Sequence, residues 1–362
     1  MTSPRLRLSL DALAENYRAL RQRGSQRVAP DQASAVVKAN AYGLGLSEVA
    51  SRLWQEGCRR FFVAVADEGV QLRQLLPQSQ IFVLAGATAE TMQLLKQHTL
   101  VPVLNTVHQC ALWASEPELP AALHIDTGMH RLGLPSDMDL SKLPPLNLAL
   151  VMTHFARADE RGHAMTAQQR QLFSRSLASL RPLHENFLIS ANNTAGALSE
   201  NELGDLTTRW LDRLGIGLYG VNPQEEAQPT PGAQPFQPVA TLEGQVLQVR
   251  SANAGAEVGY GATYRLQNAG RLATIGVGYA DGVPRLLSNQ GQVYWQGHML
   301  AVVGRVSMDS IVVELPDDCS LSEGHWVEVF GANIPVERVA RLANTISYEI
   351  LTGIGPRVRR VS

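Results

Sequence analysis

Eight short apolar runs, each set off from the next by helical periodicity or turn residues, fill the chain as far as Leu218 and leave few folds open. The runs are Ala35–Val37, Phe61–Ala66, Ile81–Leu84, Val101–Leu104, Ala121–Ile125, Leu146–Met152, Phe187–Ile189 and Leu214–Leu218. They are apolar throughout rather than alternating, the pattern of parallel strands buried on both faces. Between several of them the apolar spacing becomes helical. Leu13, Tyr17 and Leu20 share one face, and Phe173, Leu177 and Leu180 share another behind a Thr166-x-x-Gln169 capping box. Eight βα units match the count at which a parallel sheet closes on itself. The expectation is α/β: a (β/α)8 TIM-type barrel rather than an open doubly wound sheet.

Beyond the last run the pattern changes. Asn222–Pro238 is rich in Pro, Gln and Gly and has no periodicity, so it reads as a linker. After it, Val246–Val249, Leu272–Val277, Met299–Val303, Ile311–Leu315 and Trp326–Phe330 are separated by turn residues, and helical spacing returns only at Val336–Leu342. That is a C-terminal β-rich domain. The expected division is an N-terminal strand over 1–10 able to join the β-domain, a barrel over 11–223, a linker over 224–238 and the β-domain over 239–362.

Composition excludes whole classes of function. With 31 Lys and Arg against 33 Asp and Glu the net charge is −2, so there is no basic excess to attract nucleic acid or an anionic membrane. No run of about 18 apolar residues could cross a bilayer. The first residues lack the apolar stretch of a signal peptide, so a cytoplasmic location is expected. The three cysteines, Cys58, Cys110 and Cys319, form no C-x-x-C, and neither a metal site nor a disulfide framework is expected.

A barrel of this kind carries its chemistry at the C-terminal ends of its strands. There the sequence sets Lys38 and Tyr42 after the first run, His124 and Arg131 around the fifth, His154 after the sixth, Asn193 and Thr194 after the seventh, and Arg213 at the eighth. Taken singly, Lys38 could cap a strand and His154 could be a hydrogen-bonded structural residue; their convergence on one mouth favours a site. Gly215-x-Gly217-x-x-Gly220 matches a dinucleotide fingerprint in letters only, since the linker rather than a helix follows it. Those glycines are instead expected to let backbone amides approach an anion. His154, Asp159 and His163 lack the spacing of a metal site.

Eight segments in order, AVVKANAYG, DTGMHRLG, THFA, RLGIGLYG, VGYGATY, IGVGYADG, VSMDS and SYEILTGIGPRVRR, resemble the alanine racemases, pyridoxal-phosphate enzymes built from a barrel and a β-domain. The resemblance spans the whole chain. It implies racemisation of L- and D-alanine by two-base proton transfer, a homodimer with shared sites, and D-alanine supplied for peptidoglycan.

It also implies roles for individual residues. Lys38 would bond to the aldehyde of pyridoxal 5'-phosphate and act as the base for D-alanine. Tyr260, reaching in from the partner subunit, would be the base for L-alanine, with His154 as its hydrogen-bond partner. Arg213 would face the pyridine nitrogen and keep it unprotonated, favouring racemisation over transamination. Tyr42, Thr194, Tyr348 and the Gly215 and Ile216 amides would hold the phosphate, with Asn193 nearby. Arg131 and the Met308 amide would meet the substrate carboxylate, Asp309 would order the Met308 loop, and Tyr279 would narrow the entrance.

One position departs from the family. His124 stands where many members have a lysine that is carbamylated and orients the arginine matching Arg131. A histidine cannot be carbamylated in this way, so either His124 orients Arg131 itself or a bound anion stands in. Three rivals are a broad-specificity racemase, a barrel-type decarboxylase and a non-catalytic pyridoxal-phosphate carrier. The decarboxylase would want a glutamate where Arg213 stands, and a carrier would lack the β-domain.

Overall fold

The structure is a computed structural model that describes residues 3–23, 26–27, 30–180, 186–199, 209–224 and 236–361. The parallel sheet runs, in spatial order, Leu188–Ser190, Asn147–Met152, Pro120–Asp126, Val101–Leu104, Gln80–Val83, Arg60–Val63, Ala33–Val36 and Asp212–Leu214. A parallel bridge from Ile189 to Trp210 and a hydrogen bond from Leu211 N–H to the Ile189 carbonyl join the two ends, so the sheet closes. The strands are buried on both sides, as their unbroken apolar character requires: Ala35, Phe61, Phe62, Ile81, Phe82, Val103 and Leu123 are all sealed from solvent. The Phe62 and Phe82 rings stack in the barrel with centroids 4.6 Å apart.

Two sequence expectations are corrected here. The eighth run does not stay extended to Leu218: the strand is Asp212–Leu214, and Ile216–Tyr219 is a 3-10 turn. The apolar letters continue because the turn is buried, so hydrophobicity alone could not separate them. Thr166 and Gln169 do not form a capping box, since the helix starts at Ala164 and both lie inside it. His163 Nδ1 accepts from the Met165 N–H at that end instead. Phe173, Leu177 and Leu180 are buried on that helix, as their spacing predicts.

The second unit is an eight-stranded sheet. Its long central strand, Ala240–Ala252, pairs antiparallel with Gly270–Gly276, Trp326–Phe330 and the N-terminal strand Arg5–Leu8. Arg5–Leu8 in turn lies parallel to Arg359–Val361, so the two ends of the chain meet in the β-domain. Ile311–Leu315 extends the sheet on one side, and Gln292–Trp295 with His298–Ala301 on the other. Of the expected linker, residues 225–235 lie outside the described residues. No described helix is long and apolar enough to cross a membrane, and the described cysteines are buried and unpaired.

Candidate active site

The C-terminal mouth of the barrel opens into a cavity of about 630 Å³. Lys38, Tyr42, His124, Arg131, His154, Asn193, Thr194, Arg213, Gly215, Ile216 and Tyr348 all contribute to its wall. Three of these are cations and no Asp or Glu belongs to the lining among the described residues, so the cavity is suited to an anionic occupant.

Lys38 leads into a backbone turn that its sequence does not advertise. Ala39, Asn40, Ala41 and Tyr42 all take left-handed values, with φ of 53°, 54°, 52° and 55°, and Gly43 follows at 83°. Each non-glycine residue in that region costs about 1–2 kcal/mol, so the turn needs outside support. Glu68 supplies part of it, accepting from the Ala39 N–H at 2.6 Å and from the Ala64 N–H at 2.8 Å. Asn40 Oδ1 accepts from the Leu46 N–H at 2.8 Å. Burial, followed by the charge of Arg131, holds the Lys38 ammonium below its usual pKa, with Glu68 opposing.

Tyr42 packs against Tyr219, with ring centroids 4.6 Å apart, and its hydroxyl lies over Gly215, where a Cβ would come within 2.7 Å of it. Thr194 Oγ1 accepts from the Gly215 N–H at 2.9 Å and from Gly217 N–H at 3.5 Å, so the hydroxyl proton is turned away from them. Asn193 caps the helix that starts at Thr194 by accepting from the Gly196 N–H. Sequence reasoning assigned the Gly215 amide to an anion; in this structure that amide is engaged by Thr194.

Arg213 is buried and tied to neutral acceptors. Nη1 donates to the Ser190 carbonyl and hydroxyl, and Nη2 to the Thr153 carbonyl at 2.7 Å and His154 Nδ1 at 3.1 Å. Nε takes part in none of these bonds. Burial pulls the Arg213 pKa down to about 9 against the charge of Asp212, which leaves the group protonated at neutral pH. Because a guanidinium only donates, His154 Nδ1 must accept, and its proton sits on Nε2. Burial, then Arg213 and the other nearby cations, hold His154 well below its usual pKa.

His124 carries the opposite tautomer. Asn105 Nδ2 donates to the Leu84 and Val103 carbonyls, so its Oδ1 is the acceptor for His124 Nδ1–H at 2.8 Å. Burial, then Arg213 and Arg131, push His124 down to about 4. Nε2 is therefore left as a neutral acceptor. Arg131 follows a turn in which Asp126 Oδ1 accepts from the Gly128, Met129 and His130 amides.

Glu68 and Asn105 were missed in the sequence; Asn105 is the polar residue ending the otherwise apolar VPVLN, which was the available signal. Gln169 was read as a cap. It spans the site edge, accepting from the Ala156 N–H and donating to the His154 carbonyl.

Four expected residues are not in this cavity. Tyr260, Tyr279 and Met308 stand on the β-domain with 73%, 44% and 52% of their surface exposed, and Asp309 lies beside them. The Ser307–Asp309 loop is fastened to the Tyr279–Asp281 turn: the Tyr279 and Ala280 amides donate to the Ser307 and Met308 carbonyls. Arg357 bridges the buried Asp281 at 2.6 Å and Asp309 at 2.7 Å. No group of potential metal ligands occurs among the described residues.

Comparisons with known proteins agree across the chain. Residues 8–223 match the model of the alanine racemase N-terminal domain, and residues 239–362 that of the alanine racemase C-terminal domain. A protein named alanine racemase, catabolic, from Rhizobium johnstonii is 42% identical over 98% of this chain and 93% of its own. An alanine racemase from Acidiphilium cryptum is 39% identical over 100% of this chain and 99% of its own. The crystal structure of alanine racemase from Bartonella henselae with covalently bound pyridoxal phosphate superimposes with a TM-score of 0.88 at 37% identity, covering 100% of this chain and 99% of that one.

Proposed function

The chain belongs to the alanine racemase family and interconverts L- and D-alanine with pyridoxal 5'-phosphate as cofactor, and from that premise we propose how its own residues divide the work. The chemistry that the cofactor supplies when bound is electron withdrawal, which acidifies the Cα–H of an attached amino acid.

The cavity fits such a group. Its cations have no carboxylate among the described lining residues to neutralise them, the Thr194 hydroxyl proton is free of the amides that approach it, and Gly215 leaves room for the Tyr42 hydroxyl where a Cβ would meet it. Tyr42, Thr194, Ile216 and Tyr348 would hold the phosphate, with Gly215 and Asn193 shaping its seat. Arg213 Nε, the one guanidinium nitrogen left out of the cage, would donate to the pyridine nitrogen. A donor that keeps its own proton leaves that nitrogen unprotonated, which limits side reactions.

Lys38 is the attachment residue and the base on one face. Its lowered pKa increases the fraction of free amine, which is the nucleophilic form. With alanine bound, Lys38 Nζ would take or return the Cα proton on the D-alanine side. Tyr260 Oη does the same on the L-alanine side.

Tyr260 is outside its own chain's cavity and largely exposed, so we infer a homodimer in which each Tyr260 completes the other copy's site. His154, with its proton on Nε2, would donate to the Tyr260 oxygen and favour its basic form. Arg131 and the Met308 amide would receive the alanine carboxylate, Tyr279 would narrow the entrance, and Asp309 would order the Met308 loop. His124 Nε2 would accept from Arg131 and orient it without a bound anion. Buried, unpaired cysteines accord with a cytoplasmic enzyme supplying D-alanine for peptidoglycan.

The observation that carries this reading is Lys38, desolvated and lining with Arg131 and Arg213 a cavity to which no described carboxylate belongs. The test is proton–deuterium exchange at Cα of each alanine enantiomer in D₂O, with chirality followed. Wild type should exchange and invert both; Tyr260→Phe should exchange D-alanine and fail to invert it. Release of CO₂, or cofactor uptake without exchange, would refute the reading.

A further inference from the structure

The turn behind Lys38 is left-handed over four non-glycine residues, and a conformation so costly persists only where its surroundings dictate it. Glu68 holds the start of the turn at Ala39. Its end, at Gly43, is held from the far end of the chain. Arg360 donates to the Gly43 carbonyl twice, from Nε at 3.2 Å and from Nη2 at 2.8 Å. The same guanidinium donates from Nη1 to the Gly355 and Val358 carbonyls and from Nη2 to the Ile354 carbonyl.

All of these acceptors are neutral carbonyls, so the bonds fix direction rather than neutralise charge. Arg360 is itself anchored, because Arg359–Val361 is a strand of the β-domain paired with Arg5–Leu8. Gly43 must also remain a glycine: its φ is 83°, and a Cβ there would stand 2.3 Å from the Leu351 carbonyl oxygen.

We propose that Arg360 is a positioning residue, reaching from the β-domain to hold the Gly43 carbonyl and so keep the left-handed turn that aims Lys38 and Tyr42 into the cavity. The strap joins the two domains at the point where the reactive amine is presented. The inference rests on the reading of Lys38 and Tyr42 as cofactor residues.

Arg360→Gln and Arg360→Lys test it with two readouts. The first is amide hydrogen exchange across the chain. In Arg360→Gln, exchange should quicken at Ala39–Gly43 at least tenfold, while Arg5–Leu8 and the barrel strands keep wild-type protection. The second is a spectrophotometric titration of the cofactor-free dimer with pyridoxal phosphate. Its apparent dissociation constant should rise about tenfold in Arg360→Gln, as expected for losing charge-assisted hydrogen bonds. Arg360→Lys, which keeps the charge but loses the fork, should fall between the two.

Wild-type exchange at Ala39–Gly43 in Arg360→Gln would overturn the proposal. So would a uniform gain in exchange over the whole molecule, which is the sign of a merely structural arginine. A wild-type protein that fails to take up pyridoxal phosphate would refute the reading of Lys38 and Tyr42 instead, and the exchange arm would still decide the role of Arg360.

Discussion

Arg213 Nη2 donates to His154 Nδ1 at 3.1 Å, and that contact fixes the proton of the imidazole on Nε2. His124, on the same cavity wall, is fixed the other way by Asn105. The two histidines are thus neutral and of opposite tautomer, one presenting a donor and the other an acceptor. Nitrogen-15 chemical shifts of the labelled enzyme at neutral pH should report Nε2–H for His154 and Nδ1–H for His124. Finding the same tautomer in both would contradict the network.

Asn105→Ala removes the acceptor for His124 Nδ1–H and leaves that buried donor unpaired, at a cost of about 1–3 kcal/mol. The imidazole is then free to turn, and Arg131 loses its hold. The Michaelis constant for alanine should rise more than kcat falls, with cofactor affinity unchanged. Steady-state kinetics beside a thermal melt measure both parts, and an unchanged Michaelis constant would separate His124 from Arg131.

Acid should destabilise the enzyme through His124. Its folded-state pKa is depressed from the usual 6.5 to about 4, so between those values the unfolded chain binds a proton that the folded chain refuses. Stability is therefore full above pH 6.5 and is lost as pH falls toward 4, by on the order of 1–3 kcal/mol for this one group. His154 acts with the same sign. His124→Asn should flatten the fall in melting temperature over that window; an equally steep fall would assign the acid sensitivity elsewhere.

Gly215 and Tyr42 should behave as one unit. A methyl group at position 215 would meet the Tyr42 hydroxyl at 2.7 Å, so Gly215→Ala should weaken cofactor binding about tenfold or more. Tyr42→Phe removes the obstructing oxygen, and adding Gly215→Ala to it should cost less than in wild type. Cofactor titration of the four variants gives the coupling, and additive effects would contradict the close contact.

Much of the fold was legible because apolar strands buried on both faces announce themselves. Val101–Leu104, Ile311–Leu315 and Trp326–Phe330 are strands over the very residues that the pattern marked. The pattern failed where burial continued but backbone geometry changed, as at Ile216–Tyr219, and where polar residues turned inward to the site, as with Gln169. The cavity residues from Lys38 to Arg213 could be found because they end strands. The left-handed turn could not, since Ala39-Asn40-Ala41-Tyr42 has no glycine and its conformation is imposed by Glu68 and by Arg360, which is 317 residues distant from Gly43 along the chain.

The central claim is that Lys38 of one copy and Tyr260 of another act on the same alanine. Lys38→Ala and Tyr260→Phe, each inactive in racemisation alone, should be unfolded together, refolded as a mixture and assayed. In a hybrid dimer one site combines both substitutions and the other has neither. Random pairing therefore predicts recovery of about a quarter of wild-type activity. If both bases came from one chain no hybrid would contain an intact site, and a mixture as inactive as its components would contradict the account.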